Sequence, residues 1–201
     1  MWSVKNYIIV YLDTGLIPRP KGIEKPKKEI EFLLKELFNL SNEGKITLRS
    51  TQGSLDDIFG ANNERVNSQA EERYKQMQLT EPVAETILES NEDFSDDDIE
   101  LFNIMFPSEN VFSGNIYQCF LDLKENDRND FRIIKSCIED SNSYAFFLTQ
   151  NKNDFIKNGR KQDLEYVITN KYRKHLEIGE LNEDMLKKVK YAIQEVTDLL
   201  S

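Results

Sequence analysis

The residues able to do chemistry in this chain are carboxylates. A single histidine, His175, and two cysteines, Cys119 and Cys137, stand beside 36 aspartates and glutamates. On those counts a dedicated zinc site or a Ser-His-Asp triad is not the chemistry to expect. Four aspartates occupy positions from which they can act together. Asp13 closes the apolar run Tyr7-Ile8-Ile9-Val10-Tyr11-Leu12, and Asp57, with Asp56 beside it, falls in a short helix after a second strand. Asp130 opens a helix whose apolar stripe, carried back from Ile138 through Ile134 and Ile133, puts it on the buried side. Asp154 follows the apolar run that ends at Thr149. In an open parallel sheet the loops at the carboxyl ends of the strands converge on one crevice. Acids gathered there repel one another unless a cation lies between them. Oxygen ligands select Mg²⁺ or Mn²⁺, ions that activate a water and stabilise the charge on a phosphodiester under attack. The geometry this chemistry requires is that Asp13, Asp130 and Asp154 share one cation, with Asp57 reaching it directly or through water. Each acid also has a plainer reading: Asp13 and Asp154 as turn residues, and Asp56, Asp57 and Asp130 as partners of helix dipoles.

The elements that must place these acids follow from periodicity. Residues 5–12 are β-branched, aromatic and nearly free of charge, a strand buried on both faces. Ile30, Leu33, Leu34, Leu37 and Phe38 recur at helical spacing, and Gly44 suits the end of that helix. Residues 45–50 alternate as a second strand, and a short helix begins near Leu55. A polar helix is expected over 61–78. Ser95 and Asp98 form a capping box for a helix over 97–105 that stops before Pro107. A helix over 129–140 carries Ile133, Ile134, Cys137 and Ile138 on one stripe. A buried strand over 144–149 leads into a polar turn over 150–154. Asn182 caps a closing helix over 182–200. Lys171, Arg173, Lys174 and His175 read as the surface of a further helix, and Trp2, Tyr7 and Tyr11 as packing residues. Strand, helix, strand, helix is the opening of an α/β fold with a central, mostly parallel sheet flanked by helices. Nothing Gly- or Ser-rich divides the chain, so residues 1–201 read as one domain. Cys119 and Cys137 sit among apolar neighbours, as unpaired thiols do.

Lys and Arg number 26 against the 36 acids, a net charge of −10. That balance excludes a polybasic nucleic-acid coat, because neutralising phosphates needs a cationic surface. The acidic run over 89–98 reads as a solvated face. Local positive charge follows two of the four acids. Arg19, Lys21, Lys25, Lys27 and Lys28 come after Asp13, and Lys157, Arg160 and Lys161 after Asp154. Arg19, Lys21, Lys157 and Arg160 are the candidate substrate rim, a cationic border that would guide a phosphate backbone toward an anionic centre. No stretch approaches the ~18 apolar residues of a membrane span, and the apolar start is too short for a secretory signal. The expectation is a cytoplasmic protein with no membrane partner.

The order of these segments resembles the PIN-domain nucleases. Ile8-Ile9-Val10-Tyr11-Leu12-Asp13-Thr14 is similar to the family's opening strand, first metal-binding aspartate and hydroxyl partner. Lys45-Ile46-Thr47-Leu48 with Leu55-Asp56-Asp57-Ile58 resembles the second strand and the helix carrying the second acid, where Asp57 fits better than Asp56. Asp127-Arg128-Asn129-Asp130 resembles the third acidic segment, with Asp127 a rival to Asp130. Phe146-Phe147-Leu148-Thr149-Gln150-Asn151-Lys152-Asn153-Asp154-Phe155 is similar to the family's strand ending in Thr, polar turn with Asn, and closing Asp-Phe. The resemblance implies a PIN-like three-layer α/β fold, with a poorly matched helical insertion around 60–120 and a C-terminal helix over 182–200. It implies Asp13, Asp57, Asp130 and Asp154 as the catalytic, metal-binding acids, with Thr14, Thr149 and Asn151 in support. The activity implied is that of a metal-dependent endoribonuclease hydrolysing RNA with Mg²⁺ or Mn²⁺. RNA is then the substrate, and an inhibitor protein or antitoxin, or a second copy of the chain, a further partner. Gly15 stands where the family usually has Asn, and the second acid is Asp rather than the usual Glu. Those departures and the net charge of −10 favour an alternative, a PIN-like binding module that does not cut. A third reading is an acidic inhibitor or decoy that presents residues 89–98 to a nucleic-acid-binding protein.

Overall fold

The computed structural model describes residues 7–17, 28–54, 83–84, 86–109, 111–141 and 144–200. Arg19, Lys21, Asp56, Asp57, the short helix expected near Leu55 and the polar helix expected over 61–78 lie outside the described residues. Four parallel strands form a sheet: β1 (Ile8–Leu12), β2 (Thr47–Arg49), β3 (Tyr144–Thr149) and β4 (Leu176–Glu180), in the order β2-β1-β3-β4. Packed around it are α1 (Lys28–Asn42), α2 (Asp96–Met105), α3 (Ile116–Asp122), α4 (Glu125–Asp140), the one-turn α5 (Lys152–Phe155), α6 (Arg160–Asn170) and α7 (Glu183–Leu200). The α/β class expected from the segment order is the one observed. Among the described residues no helix is long and apolar enough to cross a membrane.

Strand alternation sorts the core into two layers. β1 and β3 pair with Ile8 opposite Tyr144 and Leu12 opposite Leu148, and successive side chains point to opposite faces. Ile8, Val10, Leu12, Phe146 and Leu148 pack with Leu34 and Leu37 of α1 and Val189 and Ile193 of α7. Tyr11, Ala145, Phe147 and Ile178 pack on the other side with Phe102 of α2, Phe120 of α3, Phe131 of α4 and Leu164 of α6. Both faces of the sheet are thus covered by helices, which is why its strands read as nearly unbroken apolar runs. At Gly179 a Cβ would stand 1.9 Å from the Met185 methyl; its absence lets α7 settle directly on β4. Asn182 accepts the Met185 N–H at 2.9 Å and caps α7 as expected.

Three expectations are corrected. Asp130 does not open a helix: α4 starts at Glu125, so Asp130 lies in its second turn and is no partner of the helix N-terminus. Lys171, Arg173, Lys174 and His175 do not lie on a helix: α6 ends at Asn170, Arg173 takes a left-handed φ of 56°, and β4 starts at Leu176. The acidic run over 89–98 is not uniformly solvated. Asp98 is 1% exposed. Its carboxylate accepts the Lys135 ammonium at 2.8 and 2.9 Å, the Tyr172 hydroxyl at 2.5 Å and the Ser95 N–H at 2.7 Å. Burial pushes the Asp98 carboxyl up, but the hydrogen bonds from Lys135 and Tyr172 and the charge of Lys135 overcome it and hold the group below the ordinary aspartate range. A buried carboxylate survives when it is paired and its lone pairs are met.

Candidate functional site

The chain steps from β1 to β2 on one side and from β1's other side continues through β3 to β4, so the direction of winding changes between β1 and β3. Crevices in open α/β sheets form at such a switch point, outside the carboxyl ends of the strands. Asp13 lies there. Its N–H donates to the Leu148 carbonyl at 3.0 Å, extending the ladder by one rung and setting Asp13 beside Thr149. Both follow the alternation that turns Tyr11 and Phe147 toward α4. The Thr149 hydroxyl donates to Asp13 Oδ2 at 2.6 Å, and the Thr14 N–H donates to Oδ1 at 2.7 Å. Asp13 is only 4% exposed, so both oxygens are held by short bonds in a largely dry setting.

The same hydroxyl links the rest of the cluster. Thr149 Oγ1 accepts the Asn151 N–H at 2.8 Å. The Asn151 amide donates to Asp130 Oδ2 at 3.5 Å, and its oxygen accepts the Asp154 N–H at 3.4 Å, capping α5. Of the acids expected at this edge, the Asp13 and Asp130 carboxylates are thus linked through Thr149 and Asn151, while Asp154 joins by its backbone N–H. Asp127, the rival to Asp130, lies in the first turn of α4, ahead of it. Behind α5, Phe155 is fully buried and meets Phe147 edge to face with ring centres 5.1 Å apart. That contact pins the one-turn helix to the strand that supplies Thr149.

Some contributors escaped the reading of the sequence. Ser50, Thr51 and Ser54, all buried, stand at the carboxyl end of β2. Ser50 Oγ donates to the Leu12 carbonyl at 3.1 Å, and Thr51 Oγ1 accepts the Ser54 N–H at 3.1 Å. Thr followed three residues on by Ser, straight after a strand, is a helix-capping pattern that was there to be read. Asp140 is another. It accepts the Tyr11 hydroxyl at 2.7 Å and the Arg49 guanidinium at 2.6 Å. Tyr11 and Arg49 are register partners across β1 and β2, so one carboxylate serves both. Cys137 lies beside this group, and burial, reinforced by the charges of Asp140 and Asp13, pushes its thiol well up. It stays protonated and is no nucleophile. Cys119 and Cys137 are both free. The His175 ring packs at a tilt against Tyr144, centres 4.6 Å apart, at the opposite, amino-terminal edge of the sheet.

The rim cations fall out unequally. Lys157 Nζ donates to the neutral side chain of Asn153 at 2.8 Å. Arg160 instead bonds the backbone of α5, at 3.1 Å to the Asn153 carbonyl and 3.0 Å to that of Asp154. Lys161 pairs with Glu165 at 3.5 Å and Glu177 at 3.7 Å.

Among the described residues no three His, Cys, Asp or Glu side chains stand close enough to hold an ion together. The expected direct sharing of one cation by Asp13, Asp130 and Asp154 is not what forms: a hydroxyl and an amide link the Asp13 and Asp130 carboxylates, and Asp154 is held there by its backbone N–H. The oxygen donor set still fits Mg²⁺, which is usually held by one or two carboxylates and keeps several waters. Two clefts lie elsewhere. One of about 490 Å³ runs between α2 and α6 beside Glu100 and Tyr166, and one of about 670 Å³ lies between α1 and the start of α7 beside Phe32 and Asn182. Comparison with protein-family models, with curated proteins and with solved structures gives no match for this chain.

Proposed function

We propose that this protein is a metal-dependent nuclease, an endoribonuclease that hydrolyses RNA at the carboxyl edge of β1 and β3. The observation that carries the reading is the Asp13–Thr149 contact at the switch point, with Asn151 tying Asp130 and Asp154 to the same hydroxyl. Asp13 would hold Mg²⁺ or Mn²⁺, with Asp130 and Asp154 joining through water. A cation bound there supplies a water of lowered pKa and offsets the charge that grows on the phosphoryl oxygens. The chain's own work is orientation. Thr149 and Thr14 fix the two Asp13 oxygens, and Asn151 holds the Asp130 carboxylate with its amide N–H and the Asp154 backbone N–H with its amide oxygen. No side-chain nucleophile is needed, in keeping with a buried, protonated Cys137 and a histidine at the far edge.

The test is incubation of purified protein with single-stranded RNA and Mn²⁺ or Mg²⁺, with and without a chelator. Metal-dependent cleavage that the chelator stops is expected; a pure protein that binds Mn²⁺ yet cuts no RNA or single-stranded DNA overturns the catalytic reading. One observation favours a second reading, a binding module that does not cut: no three-acid group forms among the described residues. RNA binding without cleavage in the same assay is its signature.

A further inference from the structure

We infer that Arg160 is a positioning residue for Asp154 rather than a contact for the substrate backbone. The inference rests on the nuclease reading of the site and names a part within it. α5 is a single turn (Lys152–Phe155), too short to persist on its own propensity. Its front is closed by Asn151, whose side-chain oxygen takes the Asp154 N–H. Its rear is closed by Arg160, whose Nη1 donates to the carbonyls of Asn153 and Asp154, groups that a helix end leaves unsatisfied. Asp154 is therefore held at both its N–H and its carbonyl.

The route of the chain makes this possible. Asn158 and Gly159 have φ of 59° and 81°, a left-handed pair that turns the backbone so that the first residue of α6 meets the last turn of α5. The guanidinium also stands 3.8 Å from Asp154 Oδ1, with the Arg160 side chain 19% exposed. It balances one negative charge within a group of acids while it orients the backbone beneath that acid. Lys157, bonded to the neutral Asn153 side chain, is left as the rim cation in this segment.

Full-length Arg160→Gln and Arg160→Lys test the assignment by Mn²⁺ titration, by kcat and KM on single-stranded RNA, and by the salt dependence of RNA binding. A positioning role predicts that Arg160→Gln weakens Mn²⁺ binding and lowers kcat by about 10-fold or more, the range for groups that orient a metal ligand. KM and the salt slope stay at the parent's values. Arg160→Lys recovers part of both losses, because an ammonium can still donate to the two carbonyls. The rim alternative predicts the reverse: a raised KM and a salt slope smaller by about 1, with Mn²⁺ affinity unchanged, and that result overturns the inference. If Arg160→Gln fails to fold, the kcat-against-KM split in Arg160→Lys decides it. A parent that neither binds Mn²⁺ nor cuts RNA removes the nuclease reading itself; a working parent with an indifferent Arg160 removes only this role.

Discussion

Replacing Asp13 with Asn deletes one charge and almost no volume, and its effect divides into a stability part and a metal part. In Asp13→Asn the amide oxygen can keep the Thr14 N–H now held at 2.7 Å. The new NH₂ faces the Thr149 hydroxyl, which donates to Asp13 at 2.6 Å. That hydroxyl must turn its proton away while still accepting from Asn151. One charge-assisted hydrogen bond, worth about 1.5–3 kcal/mol, is lost. Relief of a carboxylate that is only 4% exposed offsets part of it, leaving a net loss of about 1–2 kcal/mol. At roughly 2–4 °C per kcal/mol for a chain of this size, the metal-free Tm should fall by about 2–8 °C. The metal part is larger. Mn²⁺ at about 100 times its Kd stabilises a binding protein by about 2.7 kcal/mol, so the parent's Tm should climb by roughly 5–11 °C. Asp13→Asn should show little of that rise, and its cleavage should fall well beyond the roughly 10–100-fold typical of losing a group behind a ligand. Calorimetric melts with Mn²⁺ and with chelator measure both parts. An equal Mn²⁺-dependent rise in parent and variant would show that the cation is not held at Asp13 and refute the site.

Lys135→Met leaves Asp98 buried without its cation and should cost about 3–5 kcal/mol near neutral pH. In the parent, burial raises the Asp98 carboxyl but Lys135 and Tyr172 bring it below its unfolded value, so the pair's contribution is full above ~3.9 and fades as pH falls through the folded pKa. Without Lys135 the raising effect of burial is opposed only by the Tyr172 and Ser95 hydrogen bonds, so the Asp98 carboxyl moves up and the deficit should shrink between pH 7 and pH 4.5 in urea titrations; an equal deficit at both would contradict the account. Asn151→Ala removes the cap of α5 and the link to Asp130, with an expected loss of about 1 kcal/mol and weaker Mn²⁺ binding. Unchanged Mn²⁺ affinity beside that stability loss would reduce Asn151 to a cap.

The strands that carry the site were legible because they are buried on both faces. The run read as a strand over 144–149 coincides with β3, Tyr144–Thr149, and the strand read over 5–12 contains β1. What periodicity does not contain is which strands are neighbours. The Asp13–Thr149 contact spans 136 positions and depends on the β1–β3 register; only the resemblance of the chain's segment order had put the two together. β4 went unread because Leu176 and Ile178 are separated and followed by charge and glycine, a weak alternating signal. α6 hid for a related reason: its buried side is only Leu164, Val167 and Ile168. Asp98 was misread because a run of acids gives no sign that Lys135, 37 positions on, will fold over one of them. The order of residues likewise placed Arg160 after Asp154 but did not say that its side chain turns back to α5.

The net charge of −10 then bears on how RNA would reach this edge. Among the described cations after Asn151, Lys152 pairs with Glu180 at 2.7 Å, Lys161 pairs with Glu165 and Glu177, and Arg160 is taken up by α5. Lys157 bonds the neutral Asn153 side chain. Among the described residues of this segment, the cations nearest the site are thus mostly engaged in internal contacts rather than left to draw a phosphate backbone in. In such a setting a divalent cation is the largest local positive charge. Under the nuclease reading it answers for holding the phosphate as well as for the chemistry, so affinity for RNA and cleavage should disappear together when it is withdrawn. A module that binds RNA through basic side chains would keep the first while never having the second.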